Sequence, residues 1–168
     1  FLAETGRAEE AIAQIRLARD LDPVSLIIGA DMGKIFYLCR DLDLAIEQCR
    51  ATLEMDPAYF RARMWLGRAY EQKGLYREAI AEYQTARSLD ETPYVLEWLA
   101  RTYSLAENNI ESDRLIQELD QLSARVYVDS YYLASVYAAR GQKKEAIETL
   151  ERAREERSCW MCRLGVGP

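Results

Sequence analysis

The sequence predicts an all-α fold, a right-handed α-solenoid of antiparallel helix pairs with about five repeats, the first of them truncated. The first observation is a 34-residue period, because Ala11, Ala45 and Ala79 lie 34 residues apart and each is followed by Ile. Ser112 and Ala146 continue the series. The second observation is that apolar residues within each period recur at helical spacing, with Gly or Pro between the segments. Repeats of this length stack on one another, because a single repeat cannot bury its own apolar face.

Nine helices are predicted from this spacing, at 8–21, 24–39, 42–54, 58–73, 76–89, 93–106, 109–125, 129–140 and 143–156. In the clearest of them Leu66, Ala69 and Tyr70 share one face, and Gly74 supplies the left-handed residue that ends a helix. The helices group into repeats at approximately 1–23, 24–57, 58–91, 92–126 and 127–157, and 158–168 is interpreted as the start of a C-terminal capping segment. Because no linker interrupts them, residues 1–168 are predicted to form a single solenoid.

Small residues are expected where the two helices of a pair cross. In the third repeat these are Gly67 and Ala79, and large tyrosines fill the space around them. By the same reasoning Ala11, Ala45, Ser112 and Ala146 should be buried at the other crossings.

The turns carry their own signals. Asp22-Pro23, Asp56-Pro57 and Thr92-Pro93 each predict an N-capping residue followed by a proline in the first helical turn. Gly6, Gly74 and Gly141 recur at the turn inside a repeat, and we expect Arg40-Asp41 and Glu107-Asn108 to take that role in the other two repeats.

The composition limits the classes of function that we expect for this protein. The 168 residues carry a net charge of −6 and contain no histidine. An acidic chain is a poor general surface for nucleic acid, which needs a basic excess. No apolar stretch approaches membrane-spanning length, and the four cysteines are sparse for a disulfide framework, so we expect a soluble, cytoplasmic protein. Phe1 begins in the middle of a repeat, and we therefore expect the native N-terminus to lie upstream.

The order of small and large residues resembles the tetratricopeptide repeat (TPR). The third repeat contains Trp-Leu-Gly-x-x-Tyr at 65–70, then Gly-x-Tyr-x-x-Ala at 74–79 and Tyr-x-x-Ala at 83–86. Arrays of this family present a concave groove lined by the first helix of each repeat. The resemblance therefore implies a protein–protein interaction scaffold that binds a peptide or a partner protein in that groove.

Carried over by position, the resemblance implies a basic ladder of Lys34, Arg68 and Arg101 in the groove, with Arg61 beside it. The other groove candidates are aromatic, apolar or acidic residues between these cations, namely Tyr37, Met64, Tyr94, Glu97 and Tyr131, and at the groove edge Trp65, Trp98 and Tyr132. Cations interleaved with aromatic rings suit an extended peptide that is acidic or ends in a carboxylate. The pattern departs from the family's carboxylate clamp, whose Asn positions are Ala30, Asp31 or Arg68 here. Trp65 and Trp98 could instead pack only against the next repeat.

The sequence gives little support for a catalytic site or a metal site. Without histidine, the commonest general base and metal ligand are missing. Cys159-Trp160-Met161-Cys162 has the spacing of a zinc half-site, but tetrahedral zinc needs two further ligands, and Cys39 and Cys49 lie about three repeats away. Gly29 to Lys34 is one residue short of a phosphate loop and falls within a predicted helix. We therefore expect no enzyme activity, no cofactor and no metal, with Cys49 a core residue.

The C-terminal part resembles the TPR region of bacterial multidomain regulators, on the residues Tyr127-Val-Asp-Ser-Tyr-Tyr-Leu-Ala and Glu156-Arg-Ser-Cys-Trp-Met. This resemblance implies an alternative function, a regulatory or sensory C-terminal arm of a larger bacterial signalling protein whose DNA-binding or catalytic domain, or kinase domain, lies upstream. The truncated first repeat should also expose apolar surface from Leu2, Ile12 and Ile15, which favours self-association.

Overall fold

A computed structural model describes residues 2–90 and 92–158, and within these ranges the chain forms nine α-helices and no β-strand. A short 3-10 turn, Ala3–Thr5, precedes helices α1 (Ala8–Leu21), α2 (Leu26–Leu38), α3 (Leu42–Met55), α4 (Phe60–Gln72), α5 (Tyr76–Leu89), α6 (Pro93–Leu105), α7 (Asn109–Ser123), α8 (Ser130–Ala139) and α9 (Lys143–Glu155). The predicted helix bounds agree with these within two residues. The all-α fold class is confirmed.

The helices form two compact units, of which the first reaches Leu89 and the second begins at Asp90. In the first unit α1 packs on α2, α2 pairs with α3, and α4 pairs with α5 and also packs on α2 and α3. In the second unit α6 pairs with α7, α8 pairs with α9, and α6 packs on α8. Short turns make the helices of each pair antiparallel. We call α2, α4, α6 and α8 the first helices of their pairs. The assignment of residues 1–168 to a single solenoid stays a prediction.

Small residues lie buried where the sequence predicts crossings, which confirms the positions of Ala11, Ala45, Ala79, Ser112 and Ala146. At one crossing Gly67 of α4 lies against the ring of Tyr83 of α5. A Cβ atom on Gly67 would lie only 2.5 Å from Cε1 of that ring. The one polar member, Ser112, shares a hydrogen bond of 2.7 Å with Ser104, which satisfies both buried hydroxyls.

The turns follow the prediction in part. Thr92 stands at the N-cap of α6 and Pro93 is its first residue, as predicted, but the Thr92 side chain makes no capping hydrogen bond. The capping role of Asp22 and Asp56 is wrong, because these residues end α1 and α3, and Ser25 and Tyr59 stand at the N-caps instead. After Asp-Pro the chain makes a turn before the next helix begins, and in the second case Asp56 Oδ1 accepts a hydrogen bond of 2.9 Å from the backbone N–H of Ala58.

The turns inside the repeats take a left-handed residue, with φ of 79° at Gly6, 73° at Gly74 and 71° at Gly141. In the two turns without glycine, this conformation falls on Arg40 and Glu107, with φ of 66° and 59°. Asp41 and Asn108, which tolerate the left-handed conformation better, are instead the N-caps of the helices that follow. There their side chains accept hydrogen bonds from backbone N–H groups.

Candidate functional site

Four of the predicted groove residues lie together on the first helices of the first unit, and we call them the aromatic–cation cluster: Lys34, Tyr37, Trp65 and Arg68. The guanidinium carbon of Arg68 lies 5.1 Å from the ring centre of Tyr37 and 5.1 Å from that of Trp65. Lys34 Nζ lies 5.8 Å from the centre of the Trp65 ring. The two rings are tilted by 49° with their centres 5.6 Å apart. These distances are those of cation–π contacts and of a tilted aromatic pair.

The helix geometry explains how the cluster assembles. Lys34 and Tyr37 are three residues apart on α2, and Trp65 and Arg68 are three residues apart on α4, so each pair shares a helix face. Because α4 packs on α2, the two faces meet. The Tyr37 side chain is buried and Trp65 is half-buried, so the two rings that Arg68 contacts are themselves packed into the helices.

Arg61 lies on the same two helices but carries a partner of its own. Its Nη2 atom lies 2.6 Å from Asp31 Oδ1 in an ion pair that is about half exposed on the arginine side. Asp31, Lys34 and Arg61 also line a pocket of about 420 Å³, whose apolar walls come from α1, α2 and the residues before them. Met64, also predicted for the groove, is buried in α4.

In the second unit the candidates include a buried carboxylate. Glu97 of α6 is 4 % exposed and accepts a hydrogen bond from the hydroxyl of Ser135 on α8. Arg101 Nε lies 3.7 Å from Glu97 Oε1, so this cation of the predicted ladder stands beside an anion. On the same helix the rings of Tyr94 and Trp98 are 5.3 Å apart and tilted by 55°, and Trp98 is buried.

Tyr131 and Tyr132 lie half-buried in the first turn of α8. The predicted ladder is therefore divided between the two units, with Lys34 and Arg68 in the first and Arg101 in the second.

Sequence reasoning missed two members of these surfaces. Counted back from the last residue of each first helix, Ser135 occupies the position of Lys34, Arg68 and Arg101, and Asp31 occupies that of Trp65 and Trp98. The 34-residue period would have found both, because Asp31 lies 34 residues before Trp65 and Ser135 lies 34 residues after Arg101.

The two cysteines within the described residues fit the interpretation that they are structural thiols. Cys49 is fully buried, as predicted, and burial together with the nearby charge of Glu82 raises its pKa to about 12. Burial, and to a lesser extent Asp41, also raises the pKa of Cys39. Cys159 and Cys162 lie outside the described residues. Within the part of the chain that the structure describes, no three His, Cys, Asp or Glu side chains gather as a metal site would require.

The segment from Gly29 to Lys34 is helical, as predicted, and its glycines serve packing. A Cβ atom on Gly33 would collide with Cys49 of α3, and one on Gly29 would collide with Thr52 of the same helix. The two glycines therefore allow α3 to approach α2 closely, which is a structural role.

Comparison with known proteins identifies the repeats. The family model of the tetratricopeptide repeat matches residues 32–94, which include the aromatic–cation cluster. Residues 32–94 therefore carry the sequence pattern of the tetratricopeptide repeat. A comparison with curated proteins found no match to the sequence.

Solved TPR structures share the fold. The match to the crystal structure of the APC/C hetero-tetramer Cut9-Hcn1 has a TM-score of 0.74 at 18% identity and covers 90% of this chain. This chain spans only 29% of the one it matches there. The crystal structure of MamA matches with a TM-score of 0.66 at 18% identity, over 91% of this chain and 90% of that one. A protein described as a kinesin light chain of Podosopora anserina, with nearly identical TPR-like repeats, gives 0.69 at 18% identity, over 92% and 89%. At these identities the likeness shows the fold alone.

Proposed function

We propose that this TPR chain binds an extended peptide, with acidic side chains or a free terminal carboxylate, along the face of its first helices. The TPR fold itself supports a protein–protein interaction scaffold, a class that is generally non-catalytic. The observation that carries the finer proposal is the aromatic–cation cluster, in which Arg68 lies 5.1 Å from each of two ring centres.

The cluster suits a carboxylate for two physical reasons. A guanidinium held against aromatic rings keeps its planar set of N–H donors in a fixed orientation, so less side-chain entropy is lost when it binds a carboxylate. Lys34 adds a second positive charge over the same Trp65 ring. A charge-assisted hydrogen bond at such a site is worth about 1.5–3 kcal/mol.

The face of the second unit has a different character. Its half-buried tyrosines, Tyr94, Tyr131 and Tyr132, offer contact area to a peptide backbone and its apolar side chains, whereas Trp98 is buried beside Tyr94. The charge of Arg101 is offset by Glu97, which lies 3.7 Å away. We therefore assign the preference for acidic groups to the first unit, and Arg61, which is paired with Asp31, has a secondary role there.

The test begins with an array of extended peptides in matched pairs. Each acidic peptide is compared with its amide counterpart, and each free C-terminal carboxylate with a C-terminal amide. The best binder is then titrated against Arg68→Glu and, as a matched charge reversal on an exposed site of α9, Arg154→Glu. We expect the Arg68 variant to bind far more weakly than the Arg154 variant. The affinity should also fall as salt rises, because partly exposed charge pairs are screened over about 8–10 Å.

Two outcomes would reject the proposal. Equal affinity for the Arg68 and Arg154 variants would show that the peptide uses another face. No difference between acidic peptides and their amides would remove the carboxylate preference, even if the chain binds peptides. A melting curve of each variant by circular dichroism separates loss of binding from loss of fold.

The alternative, a regulatory arm of a larger bacterial signalling protein, is compatible with peptide binding and stays a hypothesis. It rests on the C-terminal resemblance, part of which lies outside the described residues. The full-length gene tests it directly, because a DNA-binding or catalytic domain upstream would be visible there. We further propose that this chain does not bind nucleic acid, given its net charge of −6. None of the described helices is both long and apolar enough to cross a bilayer.

Self-association at the first repeat also stays a proposal. Leu2, Ile12 and Ile15, expected to expose apolar surface, are half-buried.

A further inference from the structure

Large apolar side chains are exposed at the C-terminal end of α1 and in the turn that follows it. The exposed fractions are 54 % for Leu17, 79 % for Leu21, 74 % for Val24 and 57 % for Ile27. These four fall within eleven consecutive residues, whereas the other exposed large apolar residues of the described chain are spread from Met55 to Ile147. A local concentration of this kind is typical of an interaction surface.

Helix geometry places Leu17 and Leu21 on one stripe, because residues four apart lie on the same face of a helix. Ala11, which is buried, lies on a different face of α1. The stripe therefore points away from the helix pair that α1 supports. At the equivalent position of α3, the last residue of the helix, Met55 is only 43 % exposed. The greater exposure of Leu21 is thus specific to α1.

We propose that a second copy of this chain covers the stripe, through an antiparallel contact of α1 with α1 about a two-fold axis. A two-fold axis brings the same patch of both copies together, so the patch must complement itself. With the axis between Leu17 and Leu21, each Leu17 meets the Leu21 of the second copy. Val24 and Ile27 extend the apolar contact at both ends.

The charges beside the stripe fit the same arrangement. Arg16 and Asp20 are both exposed and, like the leucines, lie four residues apart on one flank of α1. In an antiparallel pair, equal flanks of the two helices adjoin. Arg16 of each copy therefore lies near Asp20 of the other, which gives two opposite-charge contacts at the rim. Arg19 should not interfere with the helix contact at the two-fold axis, because its Nη1 atom is turned toward α2. That atom lies only 3.2 Å from where a Cβ on Gly29 would lie.

Sedimentation equilibrium over a range of protein concentrations tests this surface directly. We expect a reversible monomer–dimer equilibrium for the unaltered chain. Leu21→Lys should raise the dimer dissociation constant by about tenfold or more, because it places two charges in the apolar contact. The matched control is Ile110→Lys on α7, where the side chain is 82 % exposed and the substitution should leave the dimer unchanged.

A charge swap gives the sharper criterion. Arg16→Asp alone should weaken the dimer, and Arg16→Asp combined with Asp20→Arg should restore it, since the opposite charges again adjoin. A chain that stays monomeric at all concentrations overturns the proposal, as does a dimer that Leu21→Lys leaves intact. Equal effects of Leu21→Lys and Ile110→Lys, or a double swap no better than the single one, would also overturn it.

This dimer does not depend on peptide binding. Arg68→Glu should keep the dimer, and failure of one proposal leaves the other standing.

Discussion

Replacing Gly67 by alanine should destabilise the first unit, although alanine is the better helix former. The Cβ atom would lie 2.5, 2.8 and 2.9 Å from three ring carbons of Tyr83, which is fully buried. Carbon atoms in contact normally lie about 3.5–4.0 Å apart, so the ring or α4 must move by roughly 1 Å. Overpacking of this kind costs about 1–3 kcal/mol, and the gain in helix propensity returns about 1 kcal/mol. Because three ring carbons lie under 3.0 Å from that Cβ, we take the upper part of the overpacking range, about 2–3 kcal/mol, and expect a net loss of about 1–2 kcal/mol in urea denaturation followed by circular dichroism.

A double-mutant cycle attributes the loss to this one contact. Tyr83→Leu removes the ring and should be destabilising by itself, through the cavity it leaves. In the Tyr83→Leu background, Gly67→Ala should cost nothing or be stabilising, because the colliding atoms are gone. A Gly67→Ala variant as stable as the unaltered chain would refute the packing at this crossing. An equal cost with and without the Tyr83 ring would refute its cause.

The other predictions concern the same core and its thiols. Ala79→Leu should cost about 1–3 kcal/mol, because Ala79 is fully buried, and an unchanged urea midpoint would contradict its position at the crossing. Cys49 should react with a thiol reagent far more slowly in the native than in the unfolded chain, because its pKa is raised to about 12. The Cys49 thiol therefore holds its proton more tightly in the native than in the unfolded chain. Above a pH of about 9, the free energy of unfolding should fall by at most about 1.4 kcal/mol per pH unit because of this thiol. Cys49→Ala should remove this part of the pH dependence. Chelators should leave the melting temperature unchanged, and one equivalent of zinc per purified chain would contradict the interpretation of the cysteines.

The helices could be predicted closely because the repeat supplies the same information several times. A helix end that is ambiguous in one repeat is fixed by Gly74 or Gly141 in another. The failures at Asp22 and Asp56 have a physical origin, since Asp before Pro favours both an N-cap and a turn. Only the length of the loop decides between them, and that length depends on how the next pair packs. The left-handed conformations of Arg40 and Glu107 likewise follow from the turn, against the preference of the residues.

The candidate site could be predicted as a set of positions but not as a set of contacts. The sequence indicates which residues share the face of α2 and α4, because helical spacing determines that. Whether a cation on that face meets a ring, as Arg68 does, or a carboxylate, as Arg61 does, depends on the angle between neighbouring helices. The position of Ser135 follows from the period, since it lies 34 residues after Arg101, but its hydrogen bond to Glu97 depends on how α6 packs on α8.

The geometry of Arg68 separates two ways in which the proposed groove could recognise an acidic peptide. If only the positive field matters, Arg68→Lys should bind such a peptide as well as the unaltered chain, because the charge is kept. If the planar guanidinium matters, the lysine variant loses both its stacking on Tyr37 and Trp65 and the two-pronged hydrogen bond to a carboxylate. We expect the second case, since both rings lie 5.1 Å from the guanidinium carbon, and a loss of about tenfold in affinity, or about 1.4 kcal/mol. Titration of the best binder from the peptide array against the unaltered chain and against Arg68→Lys measures this directly. A lysine variant with undiminished affinity would mean that the rings pack the helices together without orienting the cation for its ligand.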